Sequence, residues 1–140
     1  MSTRARVSAF ALSSMLLLAV GGNSASAEAL EFDAQPSVFG IYNVAARSLL
    51  DPIAINRMHS WELTITTSDG APVAGAKLEI SGGMPVHDHG LPTAPKVTKD
   101  FNNGTYLIEG IKFHMPGDWE LVVDIQTPRG NDRAVFVFRL

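Results

Sequence analysis

From Ser60 onward, apolar and polar residues alternate with the period of β-strands. Trp61, Leu63 and Ile65 alternate with Glu62, Thr64 and Thr66 before Ser68-Asp69-Gly70 makes a turn. Ala76, Leu78 and Ile80 alternate with Lys77, Glu79 and Ser81, and Ser81-Gly82-Gly83 is read as the end of that strand. A Pro- and Gly-rich loop follows, then a short strand over 96–99. Asn102-Asn103-Gly104 reads as a hairpin turn into a strand over 105–111. After the turn Met115-Pro116-Gly117-Asp118, a long strand presents Trp119, Leu121, Val123 and Ile125 on one face. Pro128-Arg129-Gly130-Asn131 then turns it back into a last strand from Ala134 to Leu140, apolar on both faces at its middle.

Before Ser60 the pattern is weaker. The run 38–49 fits either an edge strand or a segment with a helical turn around Val44-Ala45-Ala46. The residues just before it, which include Pro36, are expected to form no stable element. Short strands set apart by turns, with no long segment of helical period, predict an all-β fold. The expected architecture is an immunoglobulin-like antiparallel β-sandwich of six or seven short strands, with an open barrel as the alternative. Trp61, Leu63, Leu78, Ile80, Leu121, Val123 and Phe136 should be buried.

The first residues alter the compartment. Arg4 and Arg6 precede an apolar run from Phe10 to Val20, and Ala25-Ser26-Ala27 has the small-x-small form of a signal-peptidase site. The run is shorter than the roughly 20 residues that span a bilayer, which favours a removed signal peptide over a retained anchor. Residues 1–27 are therefore expected to be cleaved, leaving a domain over 28–140 in the periplasm or outside the cell, without stable membrane insertion. Cleavage removes two arginines and no acid, leaving nine basic against fourteen acidic residues, a net of −5. Such a charge speaks against nucleic acid or an anionic membrane as partner. The remaining 113 residues suffice for one core. Cysteine is absent, so the domain has no disulfide to hold it, and thiolate metal sites and thiol chemistry are excluded.

The candidate chemistry lies in histidine and methionine. Beyond residue 27 the chain has His59, His87, His89 and His114, with Met58, Met84 and Met115, and each of these methionines lies within three residues of a histidine. Thioether sulfur is soft and selects Cu(I), while imidazole suits copper and zinc alike, so this mixture in an exported chain without cysteine points to copper. The predicted ligands are Met84, His87, His89, His114 and Met115. In an extended segment His87 and His89 would project to the same side, and Pro85, Gly90 and Pro92 would stiffen their loop. Whether His114-Met115 shares an end of the sandwich with that loop is open at this stage. Each group also has a plainer explanation: Met58-His59 as packing before Trp61, His114-Met115 as turn residues, and the His87–His89 segment as a solvated loop. Asp88 reads as a turn acid that as a ligand would fit zinc better than Cu(I).

The segments Arg57-Met58-His59-Ser60-Trp61, GAPVAGAKLEISGGMPVHDHGLPTAPKVT from Gly70, and GTYLIEGIKFHMPGDWEL from Gly104 resemble the YtkA-like domain family, which is related to FixH-type proteins. The resemblance covers most of the chain beyond residue 27. It implies an exported or membrane-attached β-sandwich and, through the association of FixH-type proteins with assembly of copper-containing respiratory oxidases, a role in copper handling. FixH-type proteins carry a retained membrane helix, whereas this N-terminus reads as cleavable.

Two functions follow. The first is Cu(I) carriage or delivery to a copper-receiving exported or membrane protein, with zinc as the other metal. The second is a metal-free interaction module that assists assembly of an exported or membrane complex. No G-x-S-x-G, G-x-x-x-x-G-K-[ST] or G-x-G-x-x-G motif is present, and no H-E-x-x-H accompanies the histidines, so an enzyme is not expected.

Overall fold

The computed structural model describes residues 29–140. The signal-peptide reading of residues 1–27 lies outside the described residues. Nine strands occur in the order β1 (Glu31–Pro36), β2 (Tyr42–Ser48), β3 (His59–Thr67), β4 (Lys77–Met84), β5 (His89–Gly90), β6 (Lys96–Asp100), β7 (Thr105–Ile111), β8 (Asp118–Thr127) and β9 (Gly130–Arg139). A 3₁₀ turn over Pro85–His87 links β4 to β5. One sheet has the order β1-β2-β3-β7-β6 and the other β5-β4-β8-β9, with every pair antiparallel. Without β1 and β5 the sheets reduce to β2-β3-β7-β6 and β4-β8-β9, the strand order of a seven-stranded immunoglobulin constant domain. The sandwich is as expected from the pattern, and the strand count exceeds the expected six or seven by these two additions.

The inner faces carry the alternation read from the sequence. Trp61, Leu63 and Ile65 of β3 and Trp119, Leu121, Val123 and Ile125 of β8 are all buried. Each large side chain so removed from water stabilises the fold by roughly 2–3 kcal/mol. Phe113 meets Trp119 at 5.0 Å and Phe138 at 5.3 Å, and Phe138 meets Trp61 at 5.8 Å, closing one end of the core with aromatic rings. Leu78 and Ile80 are only half-buried, contrary to expectation. Their strand β4 is flanked on its outer side by β5, which pairs with Gly83 and Met84 alone, so the rest of β4 lies at the sheet edge. The final strand is apolar on both faces at its middle, as expected, with Phe136 and Phe138 inward and Val137 exposed on the outer face.

Two segments before Ser60 differ from expectation. Residues 42–48 form a strand throughout, interior to its sheet, with no helical turn at Val44-Ala45-Ala46. The segment around Pro36 forms β1, an outer strand whose last residue is that proline, a position where no ladder hydrogen bond is lost. It is held by Phe32, which packs 5.1 Å from Phe136 and 6.0 Å from Phe138. It is held again by the turn into β2. The Asp132 carboxylate accepts hydrogen bonds from Ser37 Oγ at 2.5 Å and from the amides of Phe39 and Ile41 at 3.0 and 3.1 Å. No helix among the described residues is long and apolar enough to cross a membrane.

Candidate metal centre

The register of β4 against β8 decides which loops meet. Gly83 lies opposite Glu120, so the end of β4 and the start of β8 are at the same end of the sandwich. The loop leaving β4, with His87 and His89, therefore lies beside the turn entering β8, with His114 and Met115. The start of β3 is also at this end, with His59 opposite Ile111.

The His87–His89 segment is not extended, which corrects the expectation for it. Pro85 opens the 3₁₀ turn, Asp88 takes the left-handed conformation at φ 52°, and the chain then folds back so that His89 and Gly90 pair with Met84 and Gly83. This reversal still puts the two imidazoles side by side, with centroids 6.5 Å apart and planes 24° apart. His89 also stands 6.1 Å from His114, nearly perpendicular to it. The three rings thus form a row with His89 in the middle. With a metal–nitrogen bond of about 2 Å, two imidazoles on one ion have centroids at most about 6.5 Å apart, the value for a linear pair, and about 5 Å apart on a tetrahedral ion; the His89–His114 pair lies inside the linear bound and the His87–His89 pair at it.

The row has an inner and an outer end. His87 and His89 are exposed, whereas His114 is half-buried and lies edge-on to Trp119 at 5.5 Å. Nδ1 of His114 is buried and has no hydrogen-bond partner among the described residues. A buried nitrogen in that state leaves its bonding capacity unused, which is costly unless something binds it. Among the described residues no group of three His, Asp or Glu side chains forms a ready-made metal site. Thioether donors are of a different kind and fall outside that count.

The thioethers occupy different depths. Met84 is 1% exposed and lies in the core, its methyl group 2.7 Å from where a Cβ on Gly117 would stand. Met115 is half-buried, and its carbonyl accepts a 2.9 Å hydrogen bond from the Trp119 indole, which fixes the turn. Gly117 exchanges backbone hydrogen bonds with Leu140 at 2.8 and 3.0 Å, fixing it from the other side. Asp88 is exposed and, with Met84, His89 and Glu120, lines an open cavity of about 330 Å³ beside the imidazoles. Glu120 gives no signal in the sequence beyond its outward place on β8.

His59 is separate from the row. Its Nε2 accepts a 3.0 Å hydrogen bond from the Trp61 indole, and its Nδ1 pairs with the Arg57 carbonyl at 3.0 Å, so the ring is neutral with Nδ1 carrying the proton. Burial holds its pKa below the ordinary histidine value, against the opposing effect of the Arg57 carbonyl. Met58 is exposed. Sequence reading also missed the roles of Gly82 and Gly83, which lie inside β4 rather than ending it. A Cβ at Gly82 would overlap the Glu120 carbonyl oxygen, and one at Gly83 the His89 carbonyl oxygen.

No curated protein and no solved structure matches the chain. The model of the YtkA-like family matches residues 42–124, from the first residue of β2 to the middle of β8 and across both loops of the imidazole row, and the chain belongs to that family.

Proposed function

We propose that this is an exported copper-binding protein that carries Cu(I) and passes it to another protein. The observation that carries this reading is the pairing of His89 with His114 at 6.1 Å, with a buried, unpartnered nitrogen on His114. His87 extends the set outward, and Met84 and Met115 supply soft donors at the same end. Neutral imidazole suits copper and zinc alike, and the thioethers favour Cu(I), which makes zinc the weaker choice.

The arrangement also suits ligand exchange. His114 is held by the turn and by Trp119, while His87 and His89 are exposed. A partner's ligand can displace the outer imidazoles first while the inner group retains the ion. The receiving protein would be an exported or membrane protein with higher-affinity copper ligands. The test is titration of residues 28–140 with Cu(I) under reducing conditions against a chromophoric chelator, with X-ray absorption to identify the donors. One ion per chain with nitrogen and sulfur neighbours is expected. Binding unchanged by combined His87→Ala and His89→Ala substitution would overturn the reading and leave the metal-free interaction module.

A further inference from the structure

At Gly82, against β8, and at Gly83, against β5, the neighbouring backbone stands where a side chain would begin. Gly83 lies opposite Gly90 in the β4–β5 pair, and a methyl group on Gly83 would overlap the His89 carbonyl oxygen and press on Gly90 Cα at 3.1 Å. Its φ is outside the left-handed region, so the backbone conformation itself would admit any residue. What excludes a side chain there is the carbonyl of a candidate ligand. On the facing strand the situation is reversed: a methyl group on Gly90 would meet nothing closer than the Gly82 carbonyl oxygen at 3.8 Å. Beyond β5 the amide of Leu91 donates to that same carbonyl at 3.0 Å and holds the strand down.

We infer that Gly83 is a positioning residue for the metal site: the absence of its side chain lets β5 seat deeply enough to bring His89 against His114. The inference rests on the copper reading for its purpose, but the geometry it concerns exists without metal. The 6.1 Å centroid separation is already close to the limit of about 6.5 Å for two imidazoles on one ion. Relief of the overlap at Gly83 requires the His89 backbone to move off the added methyl group, and the His89 ring, which already stands near that limit, moves with it. The atoms that a side chain at Gly83 would strike belong to the backbone of His89 and Gly90, so its effect is exerted through His89.

The experiment compares Gly83→Ala with Gly90→Ala in residues 28–140, the same methyl added to either side of one strand pair. Two quantities are read: the nuclear Overhauser contact between the His89 and His114 rings in metal-free protein, and Cu(I) affinity by chelator competition. Gly83→Ala is expected to lose the ring contact and about tenfold or more in affinity, as loss of an outer positioning group does. Gly90→Ala should keep both. Equal effects of the two substitutions, or a ring contact that survives in Gly83→Ala, would overturn the inference. Should Gly83→Ala fail to fold, Leu91→Pro releases β5 by deleting the amide bound to Gly82 and adds no atom to β4. It should lose the contact too, and its persistence there overturns the inference equally. If the parent protein binds no copper while the ring contact still responds to Gly83, the copper reading fails and the positioning role stands.

Discussion

The indole nitrogen of Trp61 donates a 3.0 Å hydrogen bond to Nε2 of His59, and this contact uses the nitrogen that a metal would need. His59 packs 5.5 Å from Phe113, and His114 follows Phe113 in the chain at the same end of the sandwich, yet one is closed by hydrogen bonds and the other has a nitrogen to spare. The two histidines are therefore predicted to separate cleanly by experiment.

His59→Ala should leave Cu(I) affinity unchanged and lower stability by about 1–3 kcal/mol, because the buried Trp61 indole loses its acceptor. Chelator competition and urea unfolding check the two halves. The pKa of His59 is lowered in the folded state, so the unfolded chain binds more protons between the folded value and about 6.5. Its contribution to stability is full above about pH 6.5 and is lost as pH falls through the folded value. The His59→Ala variant should show a flatter stability profile across that range.

Copper bound at His114 should quench Trp119, whose ring is 5.5 Å away. Of the two tryptophans in the chain, Trp61 makes its histidine contact with His59 instead. Fluorescence titration should show partial quenching that disappears in His114→Ala. Quenching of equal depth in His114→Ala would place the ion elsewhere.

Met84 is both a core residue and a candidate ligand, and Met84→Leu separates the roles. The substitution preserves volume, so stability should change by less than about 1.5 kcal/mol in chemical unfolding. If the thioether binds copper, affinity falls by about tenfold and the sulfur signal in X-ray absorption weakens. Affinity equal to the parent would assign Met84 to the core alone.

Asp132 ties the β1–β2 turn to β9, and its acid response has a definite sign. Burial alone would raise its pKa, but hydrogen bonds from Ser37 and from the amides of Phe39, Arg133 and Ile41 outweigh burial and hold it below 3.8. Its stabilisation is full above about pH 3.8 and is lost as pH falls through the folded value. Asp132→Asn should cost about 2 kcal/mol at pH 7 and progressively less in more acidic solution, as measured by urea unfolding.

The reading of residues 1–27 as a signal peptide makes one further prediction. The processed protein should begin at Glu28, and intact-mass measurement of the exported product checks it; a product retaining residues 1–27 would refute the cleavage reading.

Local alternation determined most of the fold, because a strand with one face in the core must repeat its apolar residues with period two. Trp61-Leu63-Ile65 and Trp119-Leu121-Val123-Ile125 could scarcely be read otherwise, and they pack where that period puts them. β1 escaped because its residues are mostly exposed and end in proline; Phe32, the Gln35 amide on the Val135 carbonyl and the distant Asp132 hold it, besides its pairing with β2. Leu78 and Ile80 carry the inward signal of β4, but burial depends on what covers a strand, and β5 covers only its end. The candidate site divides in the same way. The chemical character of the candidate donors was legible from histidine and methionine, since softness belongs to the side chain itself. Which histidines meet was not, because the antiparallel register of β4 on β8 joins loops some 25 residues apart in sequence. Nor could the sequence say that His59 was already bonded to Trp61, or that Gly83 makes room for the His89 carbonyl. Those are relations between atoms brought together by folding, and only the tertiary structure decides them.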